Sequence, residues 1–99
     1  MTAKIKKYEA RCNIKIYHNG KSAQASIEHC LGYVSKFNLD LSNIRAYLVN
    51  ERGSQLQYEV QMQLEGPIKG PSKLDVVKKI VSISKKLHID VEDIDIYEP

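Results

Sequence analysis

Moved along itself by fifty residues, the chain matches without a gap. Tyr8 falls on Tyr58, Glu9 on Glu59, Gly20 on Gly70, Ser22 on Ser72, Lys36 on Lys86, Asp40 on Asp90, Ile44 on Ile94 and Tyr47 on Tyr97. The apolar positions follow the same shift, with Cys12 on Met62, Ile14 on Leu64, Ile27 on Val77, Leu31 on Val81, Phe37 on Leu87, Leu39 on Ile89 and Leu41 on Val91. Self-similarity at a fixed spacing marks one supersecondary unit used twice, since a unit that cannot bury its apolar face alone needs a neighbour. The 99 residues are therefore expected to form a single domain, 1–99, built of two like halves at 6–50 and 56–99, because the chain is too short for two separate cores.

Each half opens on strict alternation. Tyr8, Ala10, Cys12, Ile14 and Ile16 fall on one side of residues 6–17, with Lys7, Glu9, Arg11, Asn13, Lys15 and Tyr17 on the other. Residues 55–65 repeat this with Leu56, Tyr58, Val60, Met62 and Leu64 facing Gln55, Gln57, Glu59, Gln61, Gln63 and Glu65. A period of two is the mark of a half-buried strand. Residues 44–50 and the closing Ile-Asp-Ile-Tyr-Glu read as two further strands, and Glu51-Arg52-Gly53-Ser54 suits a hairpin turn.

Between the strands the period changes to that of a helix. Ile27, Cys30, Leu31, Val34 and Phe37 form one stripe in residues 22–37; Val77, Ile80, Val81 and Leu87 form another in 72–87. Ser22 and Ser72 stand where helix N-caps belong, and Asp75, three residues after Ser72, supplies the acidic partner of a capping box. The order β-α-β-β-α-β resembles the ferredoxin-like plait. This implies an α+β fold, an antiparallel four-stranded sheet in the order 4-1-3-2 with both helices on one face. That topology hosts many unrelated functions.

The formal charge of +3 hides an asymmetry: Asp90, Glu92, Asp93, Asp95 and Glu98 lie at the C-terminus, so residues 1–89 carry fifteen basic against seven acidic groups, a balance of +8. Such a balance favours nucleic acid or another acidic surface as partner. No apolar run is long enough to span a bilayer, and the basic start, Met1 to Lys7, has no apolar stretch after it, so no membrane partner and a cytoplasmic location are expected. Cys12 and Cys30 lie among apolar residues without metal-ligand spacing, and His18, His29 and His88 are scattered, so buried thiols are expected and neither a metal nor a cofactor.

Three chemistries are tested by their own residues. Gly20-Lys21-Ser22 spells the end of a nucleotide-binding phosphate loop, but the glycine that such a loop needs five positions earlier is Lys15, inside a strand. What remains is an anion site of His18, Gly20, Lys21 and Ser22 at a helix N-terminus, to be weighed against a plain polar turn. Asn50 at the end of the second strand, and Gly53-Ser54 with the segments around Leu56 to Glu59 and Glu65-Gly66-Pro67, are similar to acylphosphatase, a resemblance that implies a catalytic asparagine at position 50 and phosphate bound at the first strand-to-helix turn. That family's arginine is missing, since residues 18–32 contain none, and Lys21 lacks the bidentate fork that arginine offers. RNA recognition on this topology stacks bases on aromatics of the central strands, whereas Arg11, Asn13, Lys15, Gln57, Glu59, Gln61 and Gln63 face outward there; of Tyr17, Tyr47 and Tyr97, which point the same way, Tyr47 and Tyr97 belong to the outer strands. The open face reads as solvated or as a sheet-to-sheet dimer contact.

Surfaces remain. At 100° per residue, Lys78, Lys79, Lys85 and Lys86 share the outer face of the second helix with Ser82, a pattern that fits phosphate tracking or an acidic protein surface. The absence of arginine among them argues against reading of bases. On the first helix Ala25, His29 and Gly32 face outward, and the exposed glycine permits close approach of another backbone. The expectation is a non-catalytic binding or regulatory domain, homodimeric, acting through the lysine face. The alternative is a protein-interaction module or inhibitor docking through the first helix or the open sheet. A small-molecule sensor resembling the ACT regulatory modules is a third reading, although their proline-glycine pair is absent before the first helix.

Overall fold

The computed structural model describes residues 4–99. The elements run β1 (Lys6–Gly20), α1 (Ala23–Phe37), β2 (Asp40–Arg52), β3 (Gln55–Gly70), α2 (Lys73–Leu87) and β4 (Asp90–Tyr97). All strands pair antiparallel in the order β2-β3-β1-β4, which is the expected order read from the opposite edge. The chain is thus an α+β two-layer plait.

The strands are longer than alternation alone marks. β1 and β3 stay in register from Lys6 opposite Gly70 to Gly20 opposite Leu56. At roughly 3.3 Å per residue such strands reach about 50 Å, and the molecule measures 60 × 22 × 19 Å. The β2–β3 connection is a two-residue loop between paired Arg52 and Gln55, with Gly53 at φ +59°. Positive φ at the first loop residue and not at the second is the type II′ arrangement, whose twist suits a hairpin. Glu51 and Arg52, expected in the turn, are therefore strand.

The even-numbered side chains of β1 and β3 form the core floor, with Cys12, Val60 and Leu64 fully inaccessible, and Cys30, Phe37, Val76 and Ile80 of the helices close over it. Each helix is capped as its serine predicts. The Ala25 amide donates to Ser22 Oγ at 3.1 Å and the Asp75 amide to Ser72 Oγ at 3.3 Å, while the Ser72 hydroxyl donates to Asp75 Oδ2 at 2.8 Å. Asn38 and His88 end the helices in the left-handed conformation, both at φ 57°. The helices begin at 23 and 73 and end at 37 and 87, so both bounds differ by fifty.

The helices are rotated from the expected stripes. On α1 Ser26, Cys30 and Phe37 are buried, with Tyr33 and Val34 flanking, while Leu31 is 42% exposed. On α2 Val76, Ile80 and Ser84 are buried, and Val77 and Val81 lie at the margin. The reason lies in the preceding strand ends. Gly20 and Gly70 have no side chain, and the first turn of each helix descends onto them: a Cβ on Gly20 would sit 2.7 Å from Ser26 Oγ, and one on Gly70 2.8 Å from Val76 Cγ2. Ser26 and Val76 are thereby forced underneath, and the apolar residues one position later turn outward.

Candidate functional site

On α2, Lys78, Lys79, Lys85 and Lys86 are all exposed, as the helical spacing demands. Among the described residues none of them lies within ion-pair distance of a carboxylate; the ion pairs are Arg11 with Glu65 and Lys15 with Glu59 and Glu92. Asp75, the one acid of this helix, is held by Ser72. A shallow furrow of about 400 Å³ runs along the face, floored by Val77 and Val81 and walled by Lys78, Ser82, Lys85 and Lys86. The lysine amines sit in water, free to meet a flat or convex anionic surface.

The first helix start is differently built. His18 lies at an even position of β1, so its ring turns beneath α1, where Nδ1 is 2.9 Å from Ser26 Oγ. The ring stacks on His29 with centroids 4.2 Å apart and planes 20° from parallel, and His29 meets Tyr33 edge-on at 5.8 Å. Burial first, and then the neighbouring His29, hold the His18 imidazole below its ordinary pKa. Gly20 packs against Ser26 and His18, Ser22 spends its oxygen on the cap, and Lys21 is exposed. The geometry thus joins His18 to Ser26 and His29 rather than to Lys21 and Ser22. The sequence pattern does not announce this cluster, although the parity of position 18 carries the signal.

Of the three residues on the outer side of α1, Ala25 is half-buried and His29 is engaged with His18, whereas a Cβ on Gly32 would meet nothing within 4 Å. The open sheet face is a polar mesh. In one row Tyr47, Glu59 and Tyr17 lie side by side, with the Tyr17 hydroxyl donating to Glu59 Oε1 at 3.0 Å and Gln61 Nε2 donating to Oε2 at 2.8 Å. The Gln61 and Tyr17 hydrogen bonds, in that order, draw Glu59 below the usual carboxylate range. Glu92 and then Glu59 hold Lys15 above its usual value, from 3.5 and 3.9 Å. A depression of about 430 Å³ lies beside them, bordered by Asn13, Asn43, Arg45 and Gln63. It is open to solvent, and hydrogen bonds and ion pairs within the mesh engage several of its polar groups.

Both cysteines are inaccessible and unpaired, and burial pushes the Cys12 thiol up to about 11, leaving almost no thiolate near neutrality. Among the described residues no three histidine, cysteine or acidic side chains gather as a metal ligand set, and no helix is long and apolar enough to cross a membrane.

No family model matches the chain, and no curated protein matches it. Among solved structures it is similar to the de novo designed protein Foldit4, at 14% identity over 95% of this chain and 99% of that one, with a TM-score of 0.31, a likeness too slight to bear on fold or function.

Proposed function

We propose that the chain is a non-catalytic binding domain that holds an acidic macromolecule, nucleic acid foremost, against the lysine face of α2. The observation that carries the reading is four exposed lysines on one helix face with no carboxylate partner among the described residues. An anionic partner supplies the counter-charge that these lysines lack and releases its own counterions on binding. With lysine alone the contacts are to phosphate, so affinity depends on salt and not on base sequence. Cytoplasmic location and a homodimer belong to the same proposal.

The test is retention of a short DNA duplex measured by fluorescence anisotropy against salt. Four phosphate contacts predict a slope of log affinity on log salt near −3.6, from about −0.9 per contact. Replacing Lys78, Lys79, Lys85 and Lys86 by Gln removes that slope and the retention, with the melting temperature unchanged. Equal retention by the variant refutes the reading.

One observation favours a second reading. The open space above Gly32, beside the exposed Leu31, leaves room for a protein partner on α1. Gly32→Arg blocks that approach while leaving the core intact, and a partner still held at full strength by the variant rejects this surface.

A further inference from the structure

A second cationic surface lies at the end of the molecule where β1 begins and β3 passes into α2. The register brings Lys6 opposite Gly70 and Lys7 opposite Lys69, and α2 starts three residues after Gly70, at Lys73. Lys4 precedes β1, and all five lysines are exposed. Lys7 and Lys69 face each other directly across two central strands. Like charges so placed destabilise a sheet, and among the described residues neither has a carboxylate within ion-pair distance. Of the acids in these elements, Asp75 is bonded to Ser72, and Glu9 lies two residues along β1 from Lys7, opposite Pro67 and Tyr97.

The same end carries the two most exposed large aliphatic side chains among the described residues, Ile5 at 65% and Leu74 at 62%. Ile5 directly precedes Lys6, and Leu74 directly follows Lys73. A nucleic-acid backbone offers phosphates to the lysines but no apolar medium for these two residues. An anionic bilayer offers both, because its headgroups attract the lysines and its acyl boundary accepts the aliphatics. We infer that this end of the domain docks on an anionic lipid surface, with Lys4, Lys6, Lys7, Lys69 and Lys73 against the headgroups and Ile5 and Leu74 inserted. The docking is adsorption from one side, not the spanning from which the sequence led to an expectation of no membrane partner; it adjoins the α2 face, since Leu74 lies one helical turn before Lys78, and it does not rest on the nucleic-acid reading.

The test uses the whole chain with vesicles of phosphatidylcholine, alone or mixed with phosphatidylserine, and a DNA duplex in parallel. The protein co-sediments with the mixed vesicles and not with the neutral ones. Each lysine contributes about fivefold, so exchanging Lys6, Lys7, Lys69 and Lys73 for Gln lowers partitioning by more than about a hundredfold. Exchanging Ile5 and Leu74 for Ser lowers it by about tenfold or more and leaves DNA retention unchanged. The chain has no tryptophan, so Leu74→Trp supplies a single reporter whose emission shifts to the blue on mixed vesicles. Absent sedimentation, equal binding to neutral vesicles, or an unshifted emission spectrum from the Leu74→Trp protein overturns the inference. So does full vesicle affinity in the Ile5/Leu74 variant, which would mark a general polyanion patch. The variant of Lys78, Lys79, Lys85 and Lys86 separates the two surfaces: it loses DNA and keeps at least a tenth of its lipid binding, and a larger loss of lipid binding in that variant would place the lipid contact on α2 and overturn the inference.

Discussion

Gly70→Ala is the sharpest test of how the helices are set on the sheet. The added Cβ would lie 2.8 Å from Val76 Cγ2, and Val76 is only 1% exposed, with a branched side chain that has few rotamers to retreat to. Overpacking of this kind costs about 1–3 kcal/mol. Against it stands a gain of about 0.4–1 kcal/mol, since alanine leaves the unfolded chain fewer conformations than glycine does. The net loss is about 1–2 kcal/mol, a fall in melting temperature of about 5–15 °C for a domain of this length. Val76→Ala removes the colliding methyl and by itself costs about 2 kcal/mol in lost burial. In that background Gly70→Ala has nothing to strike, so only the gain from the unfolded chain remains and the double-mutant cycle shows a coupling equal to the whole overpacking cost, about 1–3 kcal/mol. Urea unfolding followed by circular dichroism measures all four proteins. Additive effects, or a Gly70→Ala protein as stable as wild type, would refute the close approach that sets the rotation of α2.

Two predictions concern protons. His18 is kept neutral by folding, so its contribution to stability is present above its ordinary pKa of 6.5 and is lost as pH falls through the window below it. By NMR titration His18 has a midpoint below 6.5, and His29→Gln raises that midpoint only partway because burial is the larger cause; a midpoint at or above 6.5 in the wild type contradicts the stacked, hydrogen-bonded arrangement. Glu59 is displaced downward from 4.5, so what it contributes is present above that value and disappears as acid protonates it in the native state. Glu59→Gln flattens the decline of the urea midpoint below pH 4.5, and an unaltered acid limb would show that the Gln61 and Tyr17 contacts do not hold the carboxylate.

Much of the architecture is legible in the residues. Alternation in 6–17 and 55–65 separates the inward from the outward side chains of those segments as the sheet does, because a strand has a period of two and tolerates no intermediate phase. Ser22, Ser72 and Asp75 mark the helix starts through a local bond that needs nothing distant. The lysines of α2 are legible for a similar reason: a charged amine has nowhere else to go but water. Leu31 belongs to the apolar stripe and still faces outward, because such a stripe is wide and several rotations of the helix satisfy it about equally well.

The chain by itself determined the order of strands and helices, which side of each central strand is dry, and that the order repeats after fifty residues, since these follow from spacing and near-neighbour bonds. Only the tertiary structure decided the rotation of the helices, the union of His18 with Ser26 and His29, and the meeting of Lys7 with Lys69 across sixty-two positions of sequence. Those depend on where glycine lets backbone approach and on which strands pair, and both are fixed by contacts between residues that no local pattern joins.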